Sequence, residues 1–148
     1  MLMALAYGDL FEDIGQAAVW GLLAIVLLAF GYGVLDLLTP GNLGKHIAEQ
    51  RSLNAAVVLT GGFLGQGAII FASIWTNATS GFGEALLYTV VFGILGVVLQ
   101  AVAFVALDVL IPGRLGHHLM EPEFHPASLV SAAVQLSVAA IIVASIWP

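Results

Sequence analysis

Two aspartates each stand four residues ahead of a Pro-Gly pair, Asp36 before Pro40-Gly41 and Asp108 before Pro112-Gly113. Both follow long runs with no charge, so each lies near the end of an apolar helix. A carboxylate placed there can hold a proton or a cation on a path through a membrane, as ionisable residues in membrane spans often do. It can also reach water one turn from the interface, accept bonds from loop N–H groups, or pair with Lys45 or Arg114. Anchoring of the loop is the plainer expectation, because proline and glycine mark a sharp turn at both places.

Glu49 and Glu121 lie three residues after His46 and His118, one helical turn away. With His117 alongside, such pairs can bind a metal ion or respond to pH. No Glu-x-x-His or His-Glu-x-x-His pattern accompanies them, so a solvated polar loop is expected, with no metal and no cofactor assigned. Lys45, His46, Arg51, Arg114, His117 and His118 together offer contacts for a protein partner or for anionic lipid headgroups. Within the apolar runs stand three amides, Gln66, Gln100 and Gln135. Gln100 falls on a stripe of small residues, where an interhelical hydrogen bond is its expected use and the lining of a polar path the alternative. Asn77-Ala78-Thr79 fits a glycosylation acceptor, but the pattern is short. No nucleophile–base set, phosphate loop or paired-carboxylate site is present. No catalytic residue is assigned, and the chain reads as a non-enzyme.

The elements that carry these residues follow from composition. Only 8% of residues are charged and 61% are hydrophobic, whereas a soluble domain carries about 25% charged residues. Lipid is therefore the expected solvent. Ala17–Leu35, running on to Leu38, and Asn54–Trp75, Ala85–Leu107 and Ala127–Trp147 form four spans of about 20 residues, which at about 1.5 Å per residue match a hydrocarbon core of about 30 Å. None has the polar face that a helix of a soluble bundle needs. The absence of cysteine removes disulfides and thiolate metal sites, and a net charge of −6 opposes nucleic-acid binding. Met1 to Leu10 has no basic stretch and does not read as a cleavable signal peptide.

Lys45, Arg51 and Arg114 and all four histidines lie in the first and third connections, while Asp9, Glu12, Asp13 and Glu84 lie at the opposite end. The positive-inside rule then puts the basic connections in the cytoplasm and both termini outside, with Trp20, Trp75 and Trp147 at the outer interface. A bacterial inner membrane is the expected location. The chain divides into a 1–16 extracytoplasmic segment, a 17–75 helical hairpin, a 76–84 extracytoplasmic loop and an 85–148 hairpin.

The two hairpins are copies. Shifted by 72 residues, Val19–Trp75 overlays Val91–Trp147 without a gap, and 25 of 57 positions are identical. Aliphatic bias cannot order the matches seen: Leu35-Asp36 with Leu107-Asp108, Pro40-Gly41 with Pro112-Gly113, His46 with His118, and Glu49 with Glu121. Each repeat holds two spans, so both enter the membrane the same way. The fold class is thus an all-α integral membrane protein, with four transmembrane helices from two parallel hairpin repeats. Parallel repeats differ from the inverted pairs of many rocking carriers. Small residues recur on each helix: Ala17, Gly21, Ala24 and Gly31; Gly61, Gly65, Ala68 and Ala72; Thr89, Gly93, Gly96 and Ala103; Ala133, Ser137, Ala140 and Ala144. Each stripe is expected to form a close helix–helix seam, within the chain or against another protomer.

The paired Asp-x-x-x-Pro-Gly-x-Leu-Gly segments resemble a bacterial membrane family, domain of unknown function 350. So does Asn54-Ala55-Ala56 followed by Gly61-Gly62-Phe63-Leu64-Gly65-Gln66-Gly67-Ala68-Ile69-Ile70. The resemblance covers nearly the whole chain and implies an inner-membrane protein of four helices and two repeats without an established activity. Some such proteins neighbour polyamine-modifying ATP-grasp enzymes or membrane-stress proteins, which is an association only. The second repeat departs from the pattern, with Pro126 at the place of Asn54 and Ala133-Val134 at that of Gly61-Gly62. The expected function is a non-enzymatic membrane subunit or scaffold, a homo-oligomer or a component of a membrane complex, that meets lipid and recruits partners through its cytoplasmic connections. The alternative is a small proton or cation channel or transporter, polyamines included, using Asp36 and Asp108.

Overall fold

The computed structural model describes residues 2–147, with side chains from Leu10 onward; the side chain of Asp9, counted above among the acidic residues, lies outside the described residues. In lipid the backbone must satisfy its own hydrogen bonds, and helices do so within one segment. Four long helices result: α1 (Leu2–Leu38), α3 (Leu53–Thr76), α4 (Phe82–Leu110) and α6 (Pro126–Ile146), with short α2 (Leu43–Ala48) and α5 (Leu115–His118) in the first and third connections. Each long helix carries a stretch apolar enough to cross a membrane. No strand occurs among the described residues.

The helix ends follow local chemistry. α1 stops at Pro40, which has no N–H to donate, and Gly41 turns the chain at φ +87°; Gly113 repeats the turn at φ +91°. Asn42 caps α2 by accepting the N–H of Lys45, and Ser52 caps α3 by accepting that of Ala55. α6 opens on a His125 cap with Pro126 in its first turn.

α3 is the central helix: half of its most apolar stretch is buried, against 11% for α1. Its seam with α6 is the closest in the molecule. A Cβ added to Gly61 would stand 2.7 Å from the Cα of Ala132, and one on Gly65 would stand 3.0 Å from the Cβ of Ala139. α4 packs on the other side of α3, with Leu27 of α1 seated on Gly93 and Ile69 of α3 on Gly96. The larger core cluster lies at the end bearing the short helices, around Leu35, Leu43, Val58, Phe104, Leu115 and Leu119.

Residues 2–16 are helical and continuous with the rest of α1, which at 37 residues is longer than the roughly 20 that cross a bilayer. The stripes of α3 and α4 do lie largely in seams, except that Ala68 is exposed. The expected α6 stripe faces outward: Ala133, Ser137, Ala140 and Ala144 are exposed, and α6 buries Ser128, Ser131, Gln135, Ala139 and Ile142 instead. The reason is a break in the repeat symmetry. α3 has α4 along its second side, whereas the equivalent pair, α6 and α1, barely meet. α6 therefore covers one narrow face only, and Gly21 of α1 has no atom within 4 Å of a would-be Cβ.

Candidate functional site

The titratable residues gather at the end that carries α2 and α5. Asp36 accepts the N–H of Leu43 at 2.6 Å and Asp108 that of Gly116 at 2.9 Å. Each carboxylate thus holds the first turn of the short helix that follows its Pro-Gly pair, a placement the partial positive charge of helix N-termini favours. Neither pairs with Lys45 or Arg114 among the described residues. The donor shifts by one position between repeats, since the image of Leu43 is Leu115 and the N–H that reaches Asp108 is that of Gly116. The cause is local: Asn42 is extended and caps α2 with its side chain, whereas Arg114 at the same place takes φ +63° and caps nothing.

Each Pro-Gly turn is closed by a histidine. Nε2 of His46 lies 3.3 Å from the carbonyl of Pro40, and Nε2 of His118 lies 3.1 Å from that of Pro112. The rings press on the turn glycines, where a Cβ would fall 2.7 Å from His46 Nε2 at Gly41 and 3.0 Å from His118 Nε2 at Gly113. The other ring nitrogens differ. His118 Nδ1 meets Glu121 at 2.8 Å, but His46 Nδ1 meets Gln50 at 2.7 Å rather than Glu49, which is exposed.

The distinction matters for charge. Both nitrogens of His118 face oxygens that can only accept, so the imidazolium satisfies both and the neutral ring satisfies one. The Pro112 carbonyl and then Glu121 accordingly raise the pKa of His118 above that of a free imidazole. His118 stacks on His125, with ring centroids 4.0 Å apart and planes 11° apart. His125 Nδ1 accepts the N–H of Ala127 at 3.1 Å, which puts the ring proton of a neutral His125 on Nε2.

His118, Glu121 and His125 could hold a metal ion, since their ligand atoms lie within 4.8 Å of one another. Two histidines and a carboxylate suit zinc. The cost is visible: Nδ1 of His118 must give up its proton, and His125 must release the N–H of Ala127, since binding through Nδ1 takes that acceptor and binding through Nε2 moves the ring proton onto it. The present arrangement is that of a hydrogen-bonded loop.

Asn54 ties the repeats together, and the sequence assigned it no such role. Buried at the start of α3, its Nδ2 donates to the carbonyls of His118, Glu121 and Glu123 at 3.2, 3.2 and 2.8 Å. Its Oδ1 accepts the N–H of His125 at 2.8 Å and the hydroxyl of Ser128 at 3.2 Å. Ser52 adds a bond from its hydroxyl to Leu119 O at 2.8 Å. Pro40 also seats on Gly116, where a Cβ would meet its ring at 2.6 Å. The signal that could have found Asn54 was its burial-averse type at a helix start, combined with its replacement by Pro126 in the second repeat.

The remaining candidates sort by exposure. Lys45, Arg51, Arg114 and His117 are exposed around this assembly, while His46 is buried within it. Gln66, Gln100 and Gln135 are all buried, within the long helices α3, α4 and α6. Gln66 makes an interhelical bond, donating to Gly93 O at 2.8 Å; Gln100, for which that role was expected, has no partner for its Nε2 among the described residues.

The family model Domain of Unknown Function (DUF350) matches residues 9–146. A UPF0719 transmembrane protein of Mycolicibacterium paratuberculosis is 34% identical over 122 residues, covering 82% of this chain and 80% of its own. UPF0719 transmembrane proteins of Mycobacterium bovis and Mycobacterium tuberculosis are each 33% identical over 125 residues, covering 84% of this chain and 82% of theirs. No solved structure matches. The chain belongs to the DUF350 family, a family of transmembrane proteins of unknown function.

Proposed function

We propose that this DUF350 protein is a non-catalytic subunit of the bacterial inner membrane that presents its two duplicated connections to the cytoplasm and there recruits a protein partner or anionic lipid. One observation carries the reading. At the loop end, Asp36, Asp108, His46 and His118 are engaged in bonds that build the connections, while Lys45, Arg51, Arg114 and His117 stand exposed around them. A platform with exposed basic residues on its rim suits docking, where charge steers encounter and fixes register. Replacing Lys45, Arg51, Arg114 and His117 together by alanine should abolish recovery of copurifying partners and binding to phosphatidylglycerol vesicles, without reducing membrane insertion. Unchanged recovery and vesicle binding would refute the platform.

A second reading, a path for protons or cations past Asp36 and Asp108, has one supporting observation: Leu35, adjacent to Asp36, lines a small notch, mostly apolar, that also carries the Gln66 and Gln100 amides. Purified protein in liposomes tests it. Flux above that of empty vesicles, removed by Asp36→Asn with Asp108→Asn, would favour transport. Its absence across pH and cation choice ends that reading.

A further inference from the structure

Three amides that lie on different helices, and that are not images of one another in the repeat, converge at mid-bundle. Gln66 of α3, Gln100 of α4 and Gln135 of α6 are 2%, 7% and 0% exposed. Glycines make the room. A Cβ on Gly62 would fall 2.6 Å from Gln135 Oε1, one on Gly65 would fall 3.1 Å from Gln100 Nε2, and one on Gly96 would fall 2.8 Å from Gln66 Oε1. Those same atoms, Gln66 Oε1, Gln100 Nε2 and Gln135 Oε1, are buried without a hydrogen-bond partner among the described residues.

Such groups are costly to leave unmet, the more so within a bilayer, where lipid supplies neither donor nor acceptor. The orientation of Gln66 is fixed, because its Nε2 donates to Gly93 O at 2.8 Å, so its oxygen must face the notch. Gln135 Nε2 points to Val58 O, leaving its oxygen on the Gly62 side. Between α1, α3 and α4 a cavity of about 20 Å³ opens, lined by Gln66 and Gln100 with Gly31, Leu35, Gly62 and Val97. That holds one water molecule, which needs on the order of 10–15 Å³ for its centre and 2–4 polar partners.

We propose that this notch is a binding site for a single water molecule, bridging Gln66 and Gln100 beside Gln135 at the centre of the bundle. The donor and acceptor count selects the ligand. The free oxygen of Gln66 accepts one O–H of the water, and the Gln100 amide donates to its oxygen, which gives the guest two polar partners. A bare cation would find at most the two amide oxygens of Gln66 and Gln100 in a lining otherwise apolar, too few to replace its hydration shell. An apolar guest would satisfy neither amide. The site also accounts for glycine at Gly62, Gly65 and Gly96: each leaves space that an amide end occupies on its way to a shared guest.

X-ray radiolytic hydroxyl labelling of the protein in nanodiscs, read by mass spectrometry, tests the site, since a bound water activated in place oxidises the side chains around it. Leu35 and Val97, which are buried and line the cavity, should be labelled above Ile142, which is buried elsewhere. Gln100→Leu should bring both to the Ile142 level. Gly31→Ala should do the same and should fold, because its Cβ meets only Val97 at 3.5 Å. Labelling of Leu35 and Val97 no higher than Ile142 in the natural chain overturns the proposal. So does labelling that disappears when N-methylglucamine is replaced by sodium or ammonium, which would make the guest a cation. Labelling that survives Gly31→Ala in a folded protein overturns it too.

Discussion

The side-chain oxygen of Asn54 accepts the backbone N–H of His125 at 2.8 Å, joining the first turn of α3 to the residue that caps α6 in the other repeat. The two amide protons of the same side chain are shared among the carbonyls of His118, at the end of α5, and of Glu121 and Glu123, in the connection to α6. Asn54→Leu should therefore destabilise the protein by on the order of 3 kcal/mol, since each buried backbone group left unpaired costs about 1–3 kcal/mol. Asn54→Asp should cost at least as much, because it sets a carboxylate oxygen where the amide donated to three carbonyl oxygens. Equilibrium unfolding in mixed micelles of dodecyl sulfate checks the order.

His118 should titrate above the ordinary imidazole value of about 6.5, because the Pro112 carbonyl and Glu121 both favour its protonated form. Glu121→Gln should lower it. The sign for stability follows from a raised folded-state pKa: the contribution is fully present below the unfolded value and is lost as pH rises through the folded value. Side-chain NMR of the four histidines reads the first. The pH dependence of unfolding, natural chain against Glu121→Gln, reads the second. A His118 titration at or below 6.5 would contradict the geometry.

The seam between α3 and α6 should tolerate no added side chain. Gly61→Leu meets backbone of Ala132 at once, and overpacking of this kind costs about 1–3 kcal/mol. Gly21→Leu on α1 meets nothing within 4 Å of its Cβ and should leave the melting temperature in detergent unchanged. Loss of stability at Gly21 would instead indicate that this face of α1 is covered by another protomer.

Asp36→Ala should loosen the start of α2 by about 1 kcal/mol, the usual cost of losing a side-chain acceptor at a helix N-terminus. Asp36→Asn keeps an oxygen for Leu43 N–H and should cost little. Amide hydrogen exchange at Leu43 reports the difference directly.

The natural chain has no cysteine, so single cysteines give a clean measure of sidedness. Lys45 and Thr79 are exposed at opposite ends of the bundle. With the basic connections cytoplasmic, an impermeant maleimide should label Thr79→Cys in intact spheroplasts and Lys45→Cys only after lysis. The reverse pattern would invert the topology.

The four spans and the Pro-Gly turns were legible because length, apolarity and turn residues are local signals. The spans begin and end within a few residues of Asn54–Trp75, Ala85–Leu107 and Ala127–Trp147. What each helix turns inward was not legible. A helix that is apolar all round carries no polar face to mark its outside, so Ala133 and Ser137 read like their images Gly61 and Gly65 yet face the opposite way. The partner of His46 was also hidden: helical spacing favours Glu49 as readily as Gln50, and only the tight turn after α2 decides for Gln50. The convergence of Gln66, Gln100 and Gln135 could not be read from a repeat that preserves none of them, because it depends on three glycines contributed by two helices.

The Asn54 bonds run one way. Their image would start from Pro126, which has no side-chain amide and no N–H, so the second repeat has nothing with which to return the grip. The halves have ceased to be interchangeable. A single hairpin resembling either one could not pair with itself to reproduce this molecule, whereas the two expressed as separate chains should find each other as a heterodimer. The contact that Asn54 makes across the repeats thus gives their union a direction.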